Sequence, residues 1–264
     1  MNLREKYGEW GIILGATEGV GKAFAEKIAS EGMSVVLVGR REEKLQELGK
    51  SISETYGVDH MVIRADFAQS DCTEKIFEAT KDLDMGFMSY VACFHTFGKL
   101  QDTPWEKHEQ MINVNVMTFL KCFYHYMGIF AKQDRGAVIN VSSLTAISSS
   151  PYNAQYGAGK SYIKKLTEAV AAECESTNVD VEVITLGTTI TPSLLSNLPG
   201  GPAGEAVMKA AMTPEACVEE AFDNLGKSLS VIAGEHNKVN VHNWQANKTD
   251  DEYIRYMGSF YSNN

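Results

Sequence analysis

"WGIILGATEGVGKAFAEKIASEG", residues 10–32, decides how the rest of the chain is read. Trp10–Leu14 is a short apolar run without polar alternation, the pattern of a strand buried on both faces. From Val20 the apolar residues recur at helical spacing, and Gly32 offers a C-cap. Between them stand Gly15, Gly19 and Gly21, a GxxxGxG turn joining strand to helix. Glycines here let the backbone approach a pyrophosphate, and the helix N-terminus adds free N–H groups and a positive dipole. A tight turn that merely packs is the alternative.

The same alternation continues outward. Further strands are expected at 34–39, 60–66, 86–93, 136–143, 179–187 and 228–235, and helices at 41–57, at 105–133 and, after the strand at 136–143, across Tyr156 and Lys160. Repeated strand–helix units predict a Rossmann-type doubly wound α/β fold with a parallel sheet. No linker or repeat interrupts 1–264, so one domain is expected. The Gly/Pro-rich "LPGGPAG" (198–204) falls in a long connection after the sixth strand and reads as a flap over about 190–212.

Composition narrows the function. The 264 residues carry a formal net charge of −10, which disfavours a nucleic-acid partner. Cys72, Cys93, Cys122, Cys174 and Cys217 are odd in number with no CxxC pair, as expected of a reducing cytoplasm without disulfides or a thiolate metal site. The six histidines form no metal-binding motif, so no metal is expected. "MNLREKYGEW" (1–10) has no apolar signal core, and no apolar run is long enough for a membrane span.

The second strand ends "VGRR" (38–41). An NAD-preferring site places an acid there for the ribose 2′-hydroxyl. Here Gly39 leaves room, and Arg40 and Arg41 suit a 2′-phosphate through forked, charge-assisted hydrogen bonds, which argues for NADP(H). Glu18 counts against phosphate if its carboxylate points the same way. Farther on, "PYNAQYGAGK" (151–160) sets Tyr156 four residues before Lys160, on one face of a helix. A lysine cation there would favour the tyrosinate and fit the phenol for acid–base work.

Taken together, GxxxGxG, Asp66 after the third strand, Asn115 in the long helix, Ser143 after the fifth strand and the Tyr156/Lys160 pair resemble the short-chain dehydrogenase/reductase family over nearly the whole chain. The resemblance implies an oxidoreductase and a homo-oligomer, a dimer or tetramer. It makes Tyr156 the acid–base and has Lys160 hold it and the cofactor ribose. Ser143 would bind the substrate oxygen; Ser142 faces the other side of the strand by alternation. Asn115 would open its helix and hold a water in a proton relay. The NADP contacts it implies come from Gly15, Thr17, Glu18, Gly19, Val20 and Gly21, from Arg40, Arg41, Asp66 and Phe67, from Tyr156 and Lys160, and from Thr189, Ile190 and Thr191.

Two stretches depart from the family. "YVAC" (90–93) stands where it has NNAG, and "LG" (186–187) where it has PG. Both departures are shared with bacterial 7β-hydroxysteroid dehydrogenases, which "MNLREKYGEWGIILGATEGVGKAF" and "DDEYIRYMGSFY" also resemble. That likeness implies a bile-acid substrate. Phe94, Phe97, Tyr152, Leu194, Leu195, Leu198 and Met208 are candidate apolar walls. His95 is either a polar rim contact or an incidental loop residue. The aromatic tail 253–261 is expected to pack on a neighbouring subunit or over the pocket. A general carbonyl or 3-oxoacyl reductase is the enzymatic alternative, and a dinucleotide sensor the non-enzymatic one.

Overall fold

The computed structural model describes residues 2–196, 198 and 200–259. A short helix α1 (Leu3–Tyr7), whose first turn Asn2 caps, precedes β1 (Trp10–Leu14). The chain then alternates: α2 (Gly19–Ser30), β2 (Ser34–Gly39), α3 (Glu42–Tyr56), β3 (His60–Arg64), α4 (Cys72–Thr80) and β4 (Met85–Tyr90). Next come α5 (Trp105–Ile112) and α6 (Phe119–Gln133), then β5 (Gly136–Ser143), α7 (Ala154–Glu173) and β6 (Val179–Leu186). After these stand α8 (Pro192–Ser196), α9 (Gly201–Ala210), α10 (Pro214–Asn224), β7 (Ser230–Ile232), α11 (Glu235–Asn247) and α12 (Asp250–Ser259).

The strands form one sheet in the order β3-β2-β1-β4-β5-β6-β7, every neighbouring pair parallel. The fold is the expected Rossmann-type doubly wound α/β architecture. Alternate strand residues feed two cores. Ile13, Val35, Leu37 and Ile139 pack with α2 and α10 on one face. Ile12, Leu14, Val36 and Val138 pack with α6 and α7 on the other. Strand order reverses at β1, whose neighbours are β2 and β4. In such sheets the crevice beyond the carboxyl ends of the strands at this switch point receives the ligand.

Three differences from the sequence expectation have local causes. The helix expected over 105–133 is continuous in direction but turns π-helical over Asn113–Thr118, with Asn115 at its middle. The third and fourth strands stop short of their expected limits, because the chain there turns into the cleft lining at Asp66 and Val91, and the seventh is confined to Ser230–Ile232. The segment around 190–212 is helical in two places, α8 and α9. Its ends meet: the Ile190 N–H donates to the Met212 carbonyl at 2.8 Å, and the Met212 N–H to the Thr188 carbonyl at 3.0 Å. Asn197 and Pro199 of this segment, and Phe260 and Tyr261 of the tail, lie outside the described residues. No helix among the described residues is long and apolar enough to cross a membrane.

Candidate active site

A cleft of about 460 Å³ opens at the switch point. Its floor is the glycine turn. Gly15 has φ +105°, and a Cβ there would come within 2.6 Å of the Ala92 nitrogen on the neighbouring β4 loop. A Cβ on Gly21 would lie 2.0 Å from the Gly15 carbonyl oxygen, so α2 can start this close to β1 only at a glycine. Thr17, Glu18, Gly19 and Val20 line the cleft from this turn.

One end of the cleft is wet and charged. Gly39, Arg40 and Arg41 follow β2 and line it. The Arg41 guanidinium pairs with the Glu18 carboxylate at 2.9 Å, and Lys44 approaches the same oxygen at 3.7 Å. Hydrogen bonding from Arg41 holds the Glu18 carboxyl below its usual range, against a smaller opposing effect of burial. Asp66 and Phe67 line the adjoining wall, where the Asp66 carboxylate accepts from the Ala68 N–H at 3.1 Å.

The other end is more enclosed, with Lys160 buried and Ser143 and Tyr156 half-buried. Ser143 ends β5 and caps the turn after it, accepting from the Thr145 N–H at 3.3 Å. Its neighbour Ser142 points the other way and donates to the Lys160 carbonyl at 2.9 Å, as strand alternation requires. Tyr156 and Lys160 come one turn apart from α7, with Lys160 only 2% exposed. The Lys160 ammonium donates to the Val141 carbonyl at 2.8 Å and stands 5.8 Å from the centre of the Tyr156 ring. Burial pushes the Tyr156 phenol well up; charge on Cys93 adds to this, and the hydrogen bond with Ser143 opposes it. Burial pushes Lys160 down. The tyrosinate expected from the Tyr–Lys spacing is therefore not favoured in this geometry: the ammonium is turned toward a backbone carbonyl, and desolvation of the phenol dominates.

The loop after β4 forms the facing wall. The Asn115 side chain ties it down from both directions, accepting from the Phe94 N–H at 2.9 Å and donating to the Phe94 carbonyl at 2.7 Å. Each amide atom thus makes one bond to the wall and keeps a second acceptor or donor position. Cys93 is exposed to the cleft although packed deep among neighbouring atoms. Burial pushes its thiol up, but the hydrogen bond with His95 and the Lys160 charge outweigh this and leave it below its ordinary value. The His95 ring meets Tyr156 edge-on at 5.5 Å.

Of the expected site residues, Gly21, Asn115 and Ile190 stand behind the cleft wall, and the others named line it, Thr189 and Thr191 included. Thr191 also caps α8, accepting from the Leu194 N–H at 3.2 Å. Among the expected apolar walls only Phe94 lines the cleft, with His95 beside it; Phe97, Tyr152, Leu194, Leu195, Leu198 and Met208 do not. Tyr152 instead takes a left-handed backbone, φ +63°, and its carbonyl accepts from the Gly98 N–H at 2.8 Å, linking the loops before and behind the mouth. Sequence reasoning did not name Gln110, a lining residue from α5, or Lys44. The spacing of Lys44 three residues after Arg41 on one helix was the available signal; Gln110 carried none.

Comparison with known proteins fits this arrangement. The sequence profile of the short chain dehydrogenase family matches residues 9–198. A 7β-hydroxysteroid dehydrogenase of Collinsella aerofaciens is 76% identical over 261 residues, 99% of each chain, and one of Clostridium sardiniense is 49% identical over 90% of each. A solved 7β-hydroxysteroid dehydrogenase structure superposes with a TM-score of 0.95 at 76% identity, covering 97% of this chain and 99% of that one. With the family profile covering residues 9–198, this chain belongs to the short-chain dehydrogenases.

Proposed function

We propose that the protein is an NADP(H)-dependent oxidoreductase that interconverts the 7β-hydroxyl and 7-oxo groups of bile-acid steroids such as ursodeoxycholate and 7-oxolithocholate. The observation that carries this reading is the convergence of Ser143, Tyr156 and Lys160 on one end of a cleft whose floor is the glycine turn. The steroid part rests on the 76% identity with relatives of that activity.

The residues present fit a dinucleotide. The Gly15–Gly21 turn leaves no room for side chains where a pyrophosphate would lie, and α2 begins there. Thr17, Gly19, Val20, Thr189 and Thr191 would hold its phosphates and amide end, Asp66 and Phe67 its adenine end, and Arg40 and Arg41 a 2′-phosphate. When bound, NADP(H) supplies or accepts the hydride.

Within this chain, Tyr156 is the acid–base. Its raised phenol keeps its proton across the working range, so the free site suits donation to a ketone oxygen. Oxidation of the alcohol needs that proton removed and is expected to favour a higher pH than reduction. Ser143, already hydrogen-bonded to Tyr156, orients the substrate oxygen and stabilises its developing charge. Lys160 holds the cofactor ribose and keeps positive charge beneath the phenol. Asn115 positions the Cys93–Phe94 wall, and Phe94 supplies apolar surface to the steroid. A homodimer or homotetramer is part of this reading.

The test is absorbance of the reduced nicotinamide with ursodeoxycholate or its 7α epimer, each with NADP or NAD. Turnover confined to ursodeoxycholate with NADP is the expected result. Turnover with NAD would overturn the reading of Arg40 and Arg41. Activity on a small ketone but on neither steroid would overturn the bile-acid assignment.

A further inference from the structure

Glu18 stands in the one place where a carboxylate is least compatible with a bound 2′-phosphate. It lines the cleft at the start of α2, and its oxygen is 2.9 Å from the Arg41 guanidinium and 3.7 Å from the Lys44 ammonium. Arg40, the remaining cation there, is exposed and forms no ion pair among the described residues. Two of the three cations aimed at this corner are therefore held by an internal anion. The position of Glu18 at the N-cap of α2 does not account for its side chain, which makes no capping hydrogen bond.

We propose that Glu18 is a resident counter-ion that a 2′-phosphate must displace from Arg41 and Lys44, so that Glu18 sets how strongly the protein prefers NADP(H) over NAD(H). This rests on the NADP reading above. A phosphate offers three acceptor oxygens and close to two negative charges, so it outcompetes one carboxylate for a guanidinium fork. The exchange still breaks the Glu18 pair and leaves a carboxylate beside the phosphate. Removing the pair and the carboxylate's repulsion of the phosphate together should strengthen phosphate binding about 3- to 10-fold, about 0.7–1.4 kcal/mol at tenfold per 1.4 kcal/mol. The preference is thereby kept moderate, and the bound cofactor leaves more readily.

Calorimetric binding of two fragments isolates the corner: 2′,5′-ADP, which carries the 2′-phosphate, and 5′-AMP, which does not. In Glu18→Gln we expect 2′,5′-ADP to bind about 3- to 10-fold tighter, with 5′-AMP changed less than about 2-fold. In Glu18→Gln combined with Arg41→Ala that gain should fall below about 2-fold, because the freed partner is gone. Unchanged or weaker 2′,5′-ADP binding in Glu18→Gln overturns the proposal, provided the melting temperature shows the variant folded; the conservative Glu18→Asp then serves as a second variant, expected to lie between wild type and Glu18→Gln. The NADP reading is judged separately, by the wild-type ratio. Equal wild-type binding of both fragments would overturn that reading, while a 2′,5′-ADP preference appearing only in Glu18→Gln would still support the role of Glu18.

Discussion

The two ends of the cleft use charge in opposite ways. At the Arg41 end every ionisable group is at least partly in water: Arg41 is 47% exposed and Glu18 30%. The Glu18 carboxyl moves down because a cation reaches it. At the Tyr156 end desolvation prevails, raising the phenol and lowering the lysine although they are neighbours. An ion pair read from sequence spacing therefore acts as expected only where water remains to solvate the charges. Where a group is packed closely by the protein, the cost of charging decides first.

The largest expected effect lies at the Tyr156 end. Tyr156→Phe keeps the ring and removes only the proton that is passed, so turnover should fall by about 10²–10⁴-fold, the usual range for a positioned general acid. Cofactor affinity, measured by quenching of protein fluorescence, should change little. A variant that retained more than about a tenth of wild-type turnover would mean that another group passes the proton.

A second test asks whether burial alone can do what the comparison claims, far from any cofactor. Glu182 on β6 is fully buried, and both carboxylate oxygens lack hydrogen-bond partners among the described residues. Burial, helped by the charge of Glu220 on α10, pushes it up to about 8. Glu220 itself is occupied by the Lys238 ammonium at 2.5 Å and the Gly234 N–H at 2.7 Å, so it offers Glu182 no proton partner. The unfolded carboxyl titrates near 4.5, so between that value and about 8 the folded state binds the extra proton. Stability therefore declines as pH rises through this window and levels off above it. Glu182→Gln removes the titration. Its melting temperature should match wild type near pH 4.5 and exceed it by about 5 °C or more at pH 9, since each kcal/mol is worth roughly 2–4 °C at this size. Parallel pH curves for the two proteins would break the argument.

An intermediate effect belongs to the wall between the two ends. Asn115→Ala strips the Phe94 N–H and carbonyl of their partners, which should cost roughly 1–3 kcal/mol of stability and loosen Cys93 and His95. Turnover should fall about tenfold, as expected when a supporting hydrogen bond is lost. A drop in the melting temperature with unchanged turnover would show that this wall does not position the reacting groups.

How much of this was readable beforehand follows the same division. The sheet was legible because doubly buried strands need continuous apolar runs, and Trp10–Leu14, Ser34–Gly39 and Gly136–Ser143 end where the runs end. The glycine turn and the Ser143 side of β5 were legible because backbone geometry depends on period and side-chain size alone. The direction of the Tyr156 shift was not legible, since it depends on how far the folded cleft buries the phenol. Nor was the double tie of Asn115 to Phe94, which joins residues 21 apart. Helix α9 was hidden by Gly200, Gly201 and Pro202, which read as a loop, although a proline in a first turn also starts a helix.

The smallest effect should lie at the wet end, and its size is itself the test. Arg41→Ala removes one of three cations at the corner and, with it, the main partner of Glu18. Arg40 and Lys44 remain, and water screens all of them, so NADP affinity should weaken only about tenfold while turnover at saturating cofactor stays close to wild type. The loss should shrink as salt rises from about 0.05 to about 0.5 M, because screening weakens the wild-type contact more than the variant's. Tyr156→Phe should show no such salt dependence. A salt-independent loss in Arg41→Ala would mean that Arg41 acts by shape rather than by charge, and that the two ends of the cleft are less different than their exposures suggest.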